Sequence, residues 1–551
     1  MEEPKTSQSN IAPDKPAGDA AEKQQSAVAP LAPATARPVM AAVPHAYPYI
    51  PRSKTPEHIE FKKKAVSSKG LIFTVLSLFI WIFFAETIFL GSAGVSVPVF
   101  AVVFYATLYY YFRENDRPMN RTAMFLTIPV FLLSFSFLLH YNPSTQFITW
   151  PTLIGIICIQ LILLGKHEAR GIFTFDMLSK AFVHLLGKPF SNLDMPFRTF
   201  GVLKGSKSKN TRNFVLILTG LAVSIPVAAI LMSLFMSADA LFASSVNNAI
   251  DFIGLDFANI SADIFFGCIF GLFFAAALLG LKYGEAKNKP AVEIGNYIDG
   301  LIVGTFMTII NIFIIAFVGF QFFYLFGGAT NIAVSDMTYA EYARRGFFEL
   351  TTASGIIFAI ALFVQIMTKK KEGRLPVWVK LTTVLLCACN GVLLVSAVKR
   401  MLLYVDAYGL SVKRVLTLWF MAIIGICLVW MIIKCFSIKM DVMKWIGITL
   451  IAGVCILSLT NSERIIAKYN IDRYISNPEN ISLDVYHLGQ LSYTTTPEII
   501  RLKDLNLKSG SISNEDIQSI LKIQKSRMEN RNSIYGFTLD SIEARNILNK
   551  F

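Results

Sequence analysis

The feature that most constrains this chain is a series of separate apolar blocks, each long enough to cross a lipid bilayer. About 20 helical residues, rising about 1.5 Å each, cover a hydrocarbon core of about 30 Å. Hydrophobic residues make up 54% of the 551 positions, and the excess lies in these blocks. The sequence therefore predicts an all-α integral membrane protein. Eleven spans are predicted, at 70–90, 94–112, 122–140, 147–165, 213–236, 262–281, 299–326, 346–367, 377–398, 415–435 and 445–460.

The blocks divide the chain into three parts. Residues 1–64 are rich in Pro, Ala, Gln and Ser and cannot bury enough apolar area to order themselves, so a disordered tail is predicted. Residues 65–460 form the polytopic domain. Residues 461–551 are predicted to form a small, mostly helical appendage, with Asn514 and Asp540 as helix caps.

Lysine and arginine are distributed unevenly between the two sets of short loops. With the N-terminus inside, 23 of these residues fall in or beside the inner connections and six in the outer loops. Basic residues accumulate on the cytoplasmic side of membrane proteins. We therefore expect the N-terminus in the cytoplasm and, after eleven spans, the C-terminal part outside the cell. One span more or fewer would reverse that last prediction.

The long inner loop, 166–212, contains one amphipathic stretch, FDMLSKAFVHLLGK. Its apolar and cationic side chains fall on different helical faces, which is typical of a helix lying on anionic lipid. A helix packed beneath the bundle would show the same pattern, and both readings stay open. The apolar face comprises Phe175, Leu178, Phe182 and Leu185, and the cationic face Lys180, His184 and Lys188.

Several classes of chemistry find no support in the sequence. The seven cysteines lie in or beside apolar blocks and the six histidines are scattered, so neither a disulfide framework nor a metal site is expected. No phosphate-binding loop or hydrolase motif is present, and we predict a non-enzymatic protein without catalytic residues or cofactors. The net charge of +14 mostly flanks spans, where lipid and topology explain it, so no nucleic-acid partner is expected.

One charged stretch stands at the mouth of a span. In DMTYAEYARRGFFEL, Glu341, Arg345 and Glu349 are spaced to form an acid–base–acid stripe on one helical face, with Arg344 beside it. An unpaired charge within the membrane costs a few kcal/mol, so each neighbour of opposite sign offsets part of that cost. The stripe indicates either an anion- or headgroup-binding vestibule, with Glu349 as a possible proton relay, or an interfacial anchor of snorkelling side chains.

A second charged stretch, KRMLLYVDAYGLSVKR, has basic pairs at both ends. Gly409 suits the end of one helix and Ser411 the N-cap of the next, which puts Lys413 and Arg414 in a first turn that disfavours cations. A compensating partner is expected: Asp406, Glu341, an anionic headgroup or a ligand. The predicted outer ligand-binding cleft comprises Glu341, Arg344, Arg345, Glu349, Lys399, Arg400, Asp406, Lys413 and Arg414.

Other polar side chains lie inside predicted spans. Glu86 is the only carboxylate of the first span, and such a group is a functional candidate, although a boundary position or an interhelical hydrogen bond would also explain it. The amides of Gln160, Asn311, Gln321, Gln365 and Asn390 are expected to bridge helices.

Four longer motifs carry a resemblance to a known family. They are TYAEYARRGFFEL, KRMLLYVDAYGLSVKRV, IIAKYNIDRY and LDVYHLGQLSYTTTPEI, and SADALF at 237–242 adds to them. Together they resemble a bacterial membrane family catalogued as domain of unknown function 4173, over roughly 210–510. The resemblance implies a polytopic protein of the bacterial inner membrane. It implies no activity, and no residue role follows from it.

Two hypotheses of function follow. The first is a protein that binds or transports a small anionic solute or lipid headgroup through the outer cleft, which predicts a polar cavity toward mid-membrane. The second is a non-catalytic sensor, scaffold or envelope-assembly partner that contacts other proteins through its tails, which predicts a dry bundle.

Overall fold

A computed structural model describes most of the chain and shows an all-α protein. It describes residues 67–113, 120–165, 171–205, 257–283, 297–326, 347–504, 512–531 and 534–550, with isolated positions between 235 and 244. Within those ranges the only β-type pairings are two isolated bridges. The predicted disordered tail, 1–64, lies outside the described residues.

The membrane helices form two groups. The first group comprises α1 (Ser68–Phe84, continued by a π-helical turn at Ala85–Phe89), α2 (Ser96–Phe112), α3 (Arg121–Leu139), α4 (Pro143–Leu164) and α8 (Phe257–Tyr283). The second group comprises α9 (Gly300–Phe326), α10 (Phe347–Met367), α11 (Val377–Tyr408), α12 (Val412–Phe436) and α13 (Val442–Leu459).

Nine of these helices, among the residues described, are long and apolar enough to cross a membrane, and α2 is a shorter apolar helix of 17 residues. They coincide with ten of the eleven predicted spans. The remaining prediction, 213–236, lies outside the described residues except for its last two positions.

Helix α11 extends beyond residue 398, where its predicted membrane span ends. It continues past Lys399 and Arg400 to Tyr408, because Met401 and Val405 carry its buried face onward. The predicted boundaries at Gly409 and Ser411 are confirmed: α11 ends at Gly409, and Ser411 is the residue before α12.

Each group has its own apolar core, and α13 joins the two. Core residues of the first group include Phe73, Leu108 and Leu278, while those of the second come from α9–α13. Val454 and Cys455 of α13 pack with Leu133 and Leu153 of the first group. Within the described residues, α13 therefore connects the two groups inside the membrane.

The amphipathic stretch of the inner loop combines both predicted placements. It forms α5 (Phe175–Ala181), a π-helical turn (Phe182–Gly187) and α6 (Lys188–Ser191), followed by α7 (Asp194–Thr199). Met177 and Ala181 pack into the core of the first group. Leu178 and Phe182 are exposed, as an interfacial helix requires, whereas Leu185 packs inward.

The residues after α13 form a helical C-terminal domain, as predicted. It contains α14 (Ser462–Ser476), α15 (Val485–Gln490), α16 (Thr496–Asp504), α17 (Asn514–Glu529) and α18 (Leu539–Leu548). The predicted caps are each displaced: Ser513 and Thr538 cap α17 and α18, while Asn514 and Asp540 lie inside the first turns. At α17 the Ser513 hydroxyl accepts from the orphan amide of Asp516, and at α18 the Ser541 hydroxyl accepts from the amide of Thr538.

Candidate anion-binding site at the α11–α12 hairpin

The nine residues of the predicted cleft are only partly described. Glu341, Arg344 and Arg345 lie outside the described residues. Glu349 occupies the first turn of α10 and is exposed, where the helix dipole favours a carboxylate. The other five belong to the α11–α12 hairpin, and Asp406 and Lys413 are exposed there.

The turn of this hairpin depends on Gly409. Its φ of +77° and ψ of −175° belong to a region that only glycine adopts without strain. A Cβ atom there would also collide with Oδ1 of Asn470 from α14. Asn470 accepts from the amide of Leu410 at 2.7 Å and donates to its carbonyl at 2.9 Å. The C-terminal domain therefore contacts the turn directly through these two hydrogen bonds.

Two arginines cap the carbonyl end of α11. Arg414 donates to the carbonyl oxygen of Tyr408 at 3.0 Å and to that of Gly409. Arg473 of α14 donates to the carbonyls of Asp406 and, at 3.2 Å, Ala407. Within the described residues, the compensating partner expected for Arg414 is therefore the end of the preceding helix, α11. The orphan carbonyls and negative dipole of that helix end suit a cation.

An aromatic column runs down α11 below these arginines. Arg400, Tyr404 and Tyr408 are spaced four residues apart and so share one helical face. The Arg414 guanidinium lies 4.2 Å from the centroid of the Tyr404 ring, a cation–π contact. Phe347 at the start of α10 stacks on the same ring at 5.7 Å. This aromatic stack therefore fixes the position of the Arg414 guanidinium at the hairpin.

The basic residues stand at two levels. Helix α11 has 32 residues and is about 48 Å long, about 18 Å more than the hydrocarbon core. With Val377 at one edge of that core, Lys399 and Arg400 fall near the opposite headgroups. Lys413 accompanies the helix end, about 12 Å farther out, and the Arg414 guanidinium reaches back over the Tyr404 ring, between the two levels. The described basic residues of the predicted cleft therefore lie along one helical hairpin.

Residues of the C-terminal domain that sequence reasoning missed complete the site. Arg473 and Asn470 lie in a motif quoted only for its resemblance, and nothing in their spacing pointed to the hairpin. The four-residue spacing of Arg400, Tyr404 and Tyr408 was a readable signal. His487 lies near Arg414, and burial, reinforced by that guanidinium, lowers the pKa of its imidazole, while Asp484 and Glu463 oppose the shift.

Polar groups deeper in the membrane have more ordinary roles. The amide of Gln160 donates to the Ala123 carbonyl at 2.7 Å, that of Asn311 to Thr382 at 3.0 Å, and that of Asn390 to Ser354 at 3.0 Å. These three bridge helices as predicted. Within the described parts of α9–α13, the buried polar side chains are all uncharged.

Among the residues described, no group of His, Cys, Asp or Glu is arranged to hold a metal ion. All seven cysteines have free thiols.

Comparison with known proteins places this architecture in a family. A domain of unknown function, DUF4153, matches residues 127–502, more than half of the chain. The chain belongs to this family. A domain of unknown function was implied by the four motifs, but number 4173 is not the one that matches. No curated protein and no solved structure matches the chain.

The DUF4153 match covers the candidate site and leaves out helices at both ends of the described chain. It includes the α11–α12 hairpin, Arg473 and His487, so the candidate site lies wholly within the family domain. Helices α1 and α2 precede the match, and α17 and α18 follow it. These two flanks contact each other: the Tyr535 hydroxyl, just before α18, donates to Glu86 at 2.9 Å.

Proposed function

We propose that this protein binds a small anionic solute or an anionic lipid headgroup at the α11–α12 hairpin, as a binding or transport protein rather than an enzyme. The observation that carries the proposal is the way Arg414 and Arg473 are held. Both guanidiniums donate to main-chain carbonyls, which carry no formal charge. Their positive charges are oriented but remain available to attract an anion.

The two cationic levels suit the two sources of that anion. Lys399 and Arg400, near the headgroups, are placed for the phosphate of an anionic lipid. Lys413, about 12 Å beyond, is placed for an anion arriving from solution, with the Arg414 guanidinium between the two levels. Lys413 also lies in the first turn of α12, where Ser411 makes no side-chain cap hydrogen bond, so helix amides add to the attraction.

The same proposal includes a location. The uneven distribution of lysine and arginine supports a multi-pass protein of the bacterial cell membrane with a cytoplasmic N-terminus. The hairpin tip and the C-terminal domain, which contact each other through Asn470 and Arg473, would then face the outside.

The test uses two single substitutions and a matched control, Lys399→Gln, Lys413→Gln and Lys522→Gln, the last on the exposed surface of α17. Retained phosphatidylglycerol is measured by native mass spectrometry, and thermal stabilisation by inorganic phosphate is measured in detergent. Lys399→Gln is expected to lower lipid retention severalfold, and Lys413→Gln to remove the stabilisation by phosphate. Wild-type behaviour of both variants, or no binding of either probe by the wild type, would overturn the proposal.

A second candidate function is a non-catalytic scaffold, sensor or envelope-assembly partner. It is favoured by the C-terminal domain, which contacts the first group through Asn142 and Ser462 (2.9 Å) and the second through the hairpin. A scaffold predicts a dry bundle. Among the residues that the structure describes, four oxygens buried in α9–α11 have no hydrogen-bond partner, which favours a partly hydrated interior. They are Asn311 Oδ1, Ser354 Oγ, Gln365 Oε1 and Asn390 Oδ1.

A further inference from the structure

Helix α2 is too short to cross the hydrocarbon core unaided. Its 17 residues are about 25 Å long, against a core of about 30 Å. The Phe112 end carries the usual marks of a membrane interface, since Tyr109 and Tyr110 are exposed and Arg113 lies over the Tyr109 ring. The Ser96 end must therefore lie about 5 Å inside the opposite edge of the core.

Backbone amides at that depth need partners other than water. The C-terminal domain supplies them. The amide of Val95 donates to the carbonyl of Phe537 at 2.9 Å, and that of Ser96 donates to the carbonyl of Tyr535 at 3.3 Å. Arg531 adds a hydrogen bond to the carbonyl of Ala93 at 3.0 Å. The segment before α18 thus completes the unfinished end of α2.

Two glycines make this contact close enough. A Cβ on Gly94 would collide with the backbone of Gly536, and a Cβ on Gly536 would come within 2.8 Å of the Ser92 side chain. Backbone therefore lies against backbone, and the segment is held at the level of the α2 start. Its own side chains must share that depth.

Large apolar side chains of this segment remain exposed on the protein surface. Ile534 is 85% exposed, Leu539 45%, Ile542 47% and Phe537 38%. In a water-facing loop such a cluster would be unfavourable, because exposed apolar surface is stabilised by leaving water. At the edge of the hydrocarbon core the same side chains meet acyl chains.

The placement also accounts for Glu86, the carboxylate of the first span. Thr87 of the same turn lies beside the α2 start, where its carbonyl accepts from the Ser96 hydroxyl at 3.5 Å, so Glu86 shares that depth. Its carboxylate accepts from the hydroxyl of Tyr535 at 2.9 Å. The segment brings a polar partner to a carboxylate that lipid could not satisfy.

We infer that Ile534–Ile542 is a membrane-inserted segment. It contacts the acyl chains at the edge of the hydrocarbon core, in the leaflet on the same side as the C-terminal domain. The domain is thereby anchored to the bilayer as well as to the helices. The inference is independent of anion binding at the hairpin, which lies on α11 and α12.

Depth measurement by electron paramagnetic resonance tests it. Full-length protein with its seven native cysteines replaced carries one spin label, at Ile534→Cys or Ile542→Cys, in phosphatidylcholine–phosphatidylglycerol vesicles. The control site is Glu479→Cys, because Glu479 is exposed beyond the far end of α14. Size-exclusion chromatography selects folded protein for each variant.

Collisions with oxygen, which concentrates in lipid, are compared with collisions with a water-soluble nickel chelate. The ratio at residues 534 and 542 is expected to exceed that at residue 479 severalfold. Adding Gly536→Val to Ile534→Cys should lower the ratio toward the value at residue 479, because the backbone contact is lost. Ratios at both 534 and 542 equal to that at 479 would overturn the inference.

Discussion

At the scale of single residues, the two arginines at the α11–α12 hairpin hydrogen-bond to carbonyl groups, whereas Arg464 and Arg501 elsewhere in the C-terminal domain pair with carboxylates. Arg414 and Arg473 together cover the last four carbonyls around the end of α11, from Asp406 to Gly409. Each carbonyl is an orphan of the helix, so the arginines stabilise the turn while keeping their charge. The turn itself rests on Gly409.

Substituting that glycine should destabilise the hairpin. Gly409→Ala forces a Cβ into a backbone region costing about 1–3 kcal/mol and into Asn470. A lower melting midpoint is expected in detergent. Gly391→Ala is the control, because Gly391 lies within α11 with nothing within 4 Å of its Cβ position. That change should be neutral or stabilising by about 0.5–1 kcal/mol, and equal losses in both variants would contradict the role of Gly409.

His487 should make the stability of the C-terminal domain depend on pH. Its pKa in the folded protein lies below the ordinary value, because burial and Arg414 disfavour the imidazolium. The unfolded chain therefore takes up the proton first as pH falls below about 6.5, and this part of the stability is lost between the ordinary pKa and the lowered one. His487→Gln should flatten the dependence of the melting midpoint on pH in that window. An unchanged slope would exclude His487 as its source.

At the scale of elements, the closest helix contact in the first group is made by a motif that sequence reasoning overlooked. GCIFG at 267–271 puts two glycines of α8 against α1, where a Cβ on Gly267 would meet the backbone of Ile82. The Ser77 hydroxyl donates to the Gly271 carbonyl at 2.9 Å across the same contact. Small residues four apart are the usual means of such close packing in membranes.

Gly267→Ala should therefore separate α1 from α8. The added methyl group meets main-chain atoms, which cannot move aside as a flexible side chain can, and a cost of about 1–3 kcal/mol is expected. Thermal unfolding in detergent measures it. Gly355→Ala on α10, with nothing within 4 Å of its Cβ position, is the matched control. A loss no greater than that of the control would show that α1 and α8 are not held at this distance.

How far the elements could be predicted depended on the kind of signal. Apolar length located ten spans, because hydrophobicity dominates in a bilayer. The predicted membrane span of α11 ended at residue 398, where the basic pair begins, whereas Gly409 correctly predicted the end of the helix itself at Tyr408. The docking of α14 on the hairpin could not be predicted, since Asn470 and Gly409 are distant in the chain and share no pattern.

At the scale of the whole molecule, two helix groups are joined twice. Helix α13 joins them within the membrane, and the C-terminal domain joins them at one end. The hairpin tip, the start of α2 and the end of α3 all contact that domain, through Asn470, Phe537 and Asp540. The candidate site and the domain therefore belong to the same side of the membrane.

We expect the hairpin tip and the C-terminal domain on one side of the membrane, and side-specific thiol labelling tests this directly. Single cysteines would replace Lys413 at the hairpin tip, Glu479 in the C-terminal domain and Lys371 in the exposed turn between α10 and α11, in a chain without native cysteines. Intact cells and inverted vesicles would each be treated with a membrane-impermeant thiol reagent. Residues 413 and 479 should label only in intact cells, and residue 371 only in inverted vesicles. Labelling of 413 and 479 from opposite sides would contradict the claim.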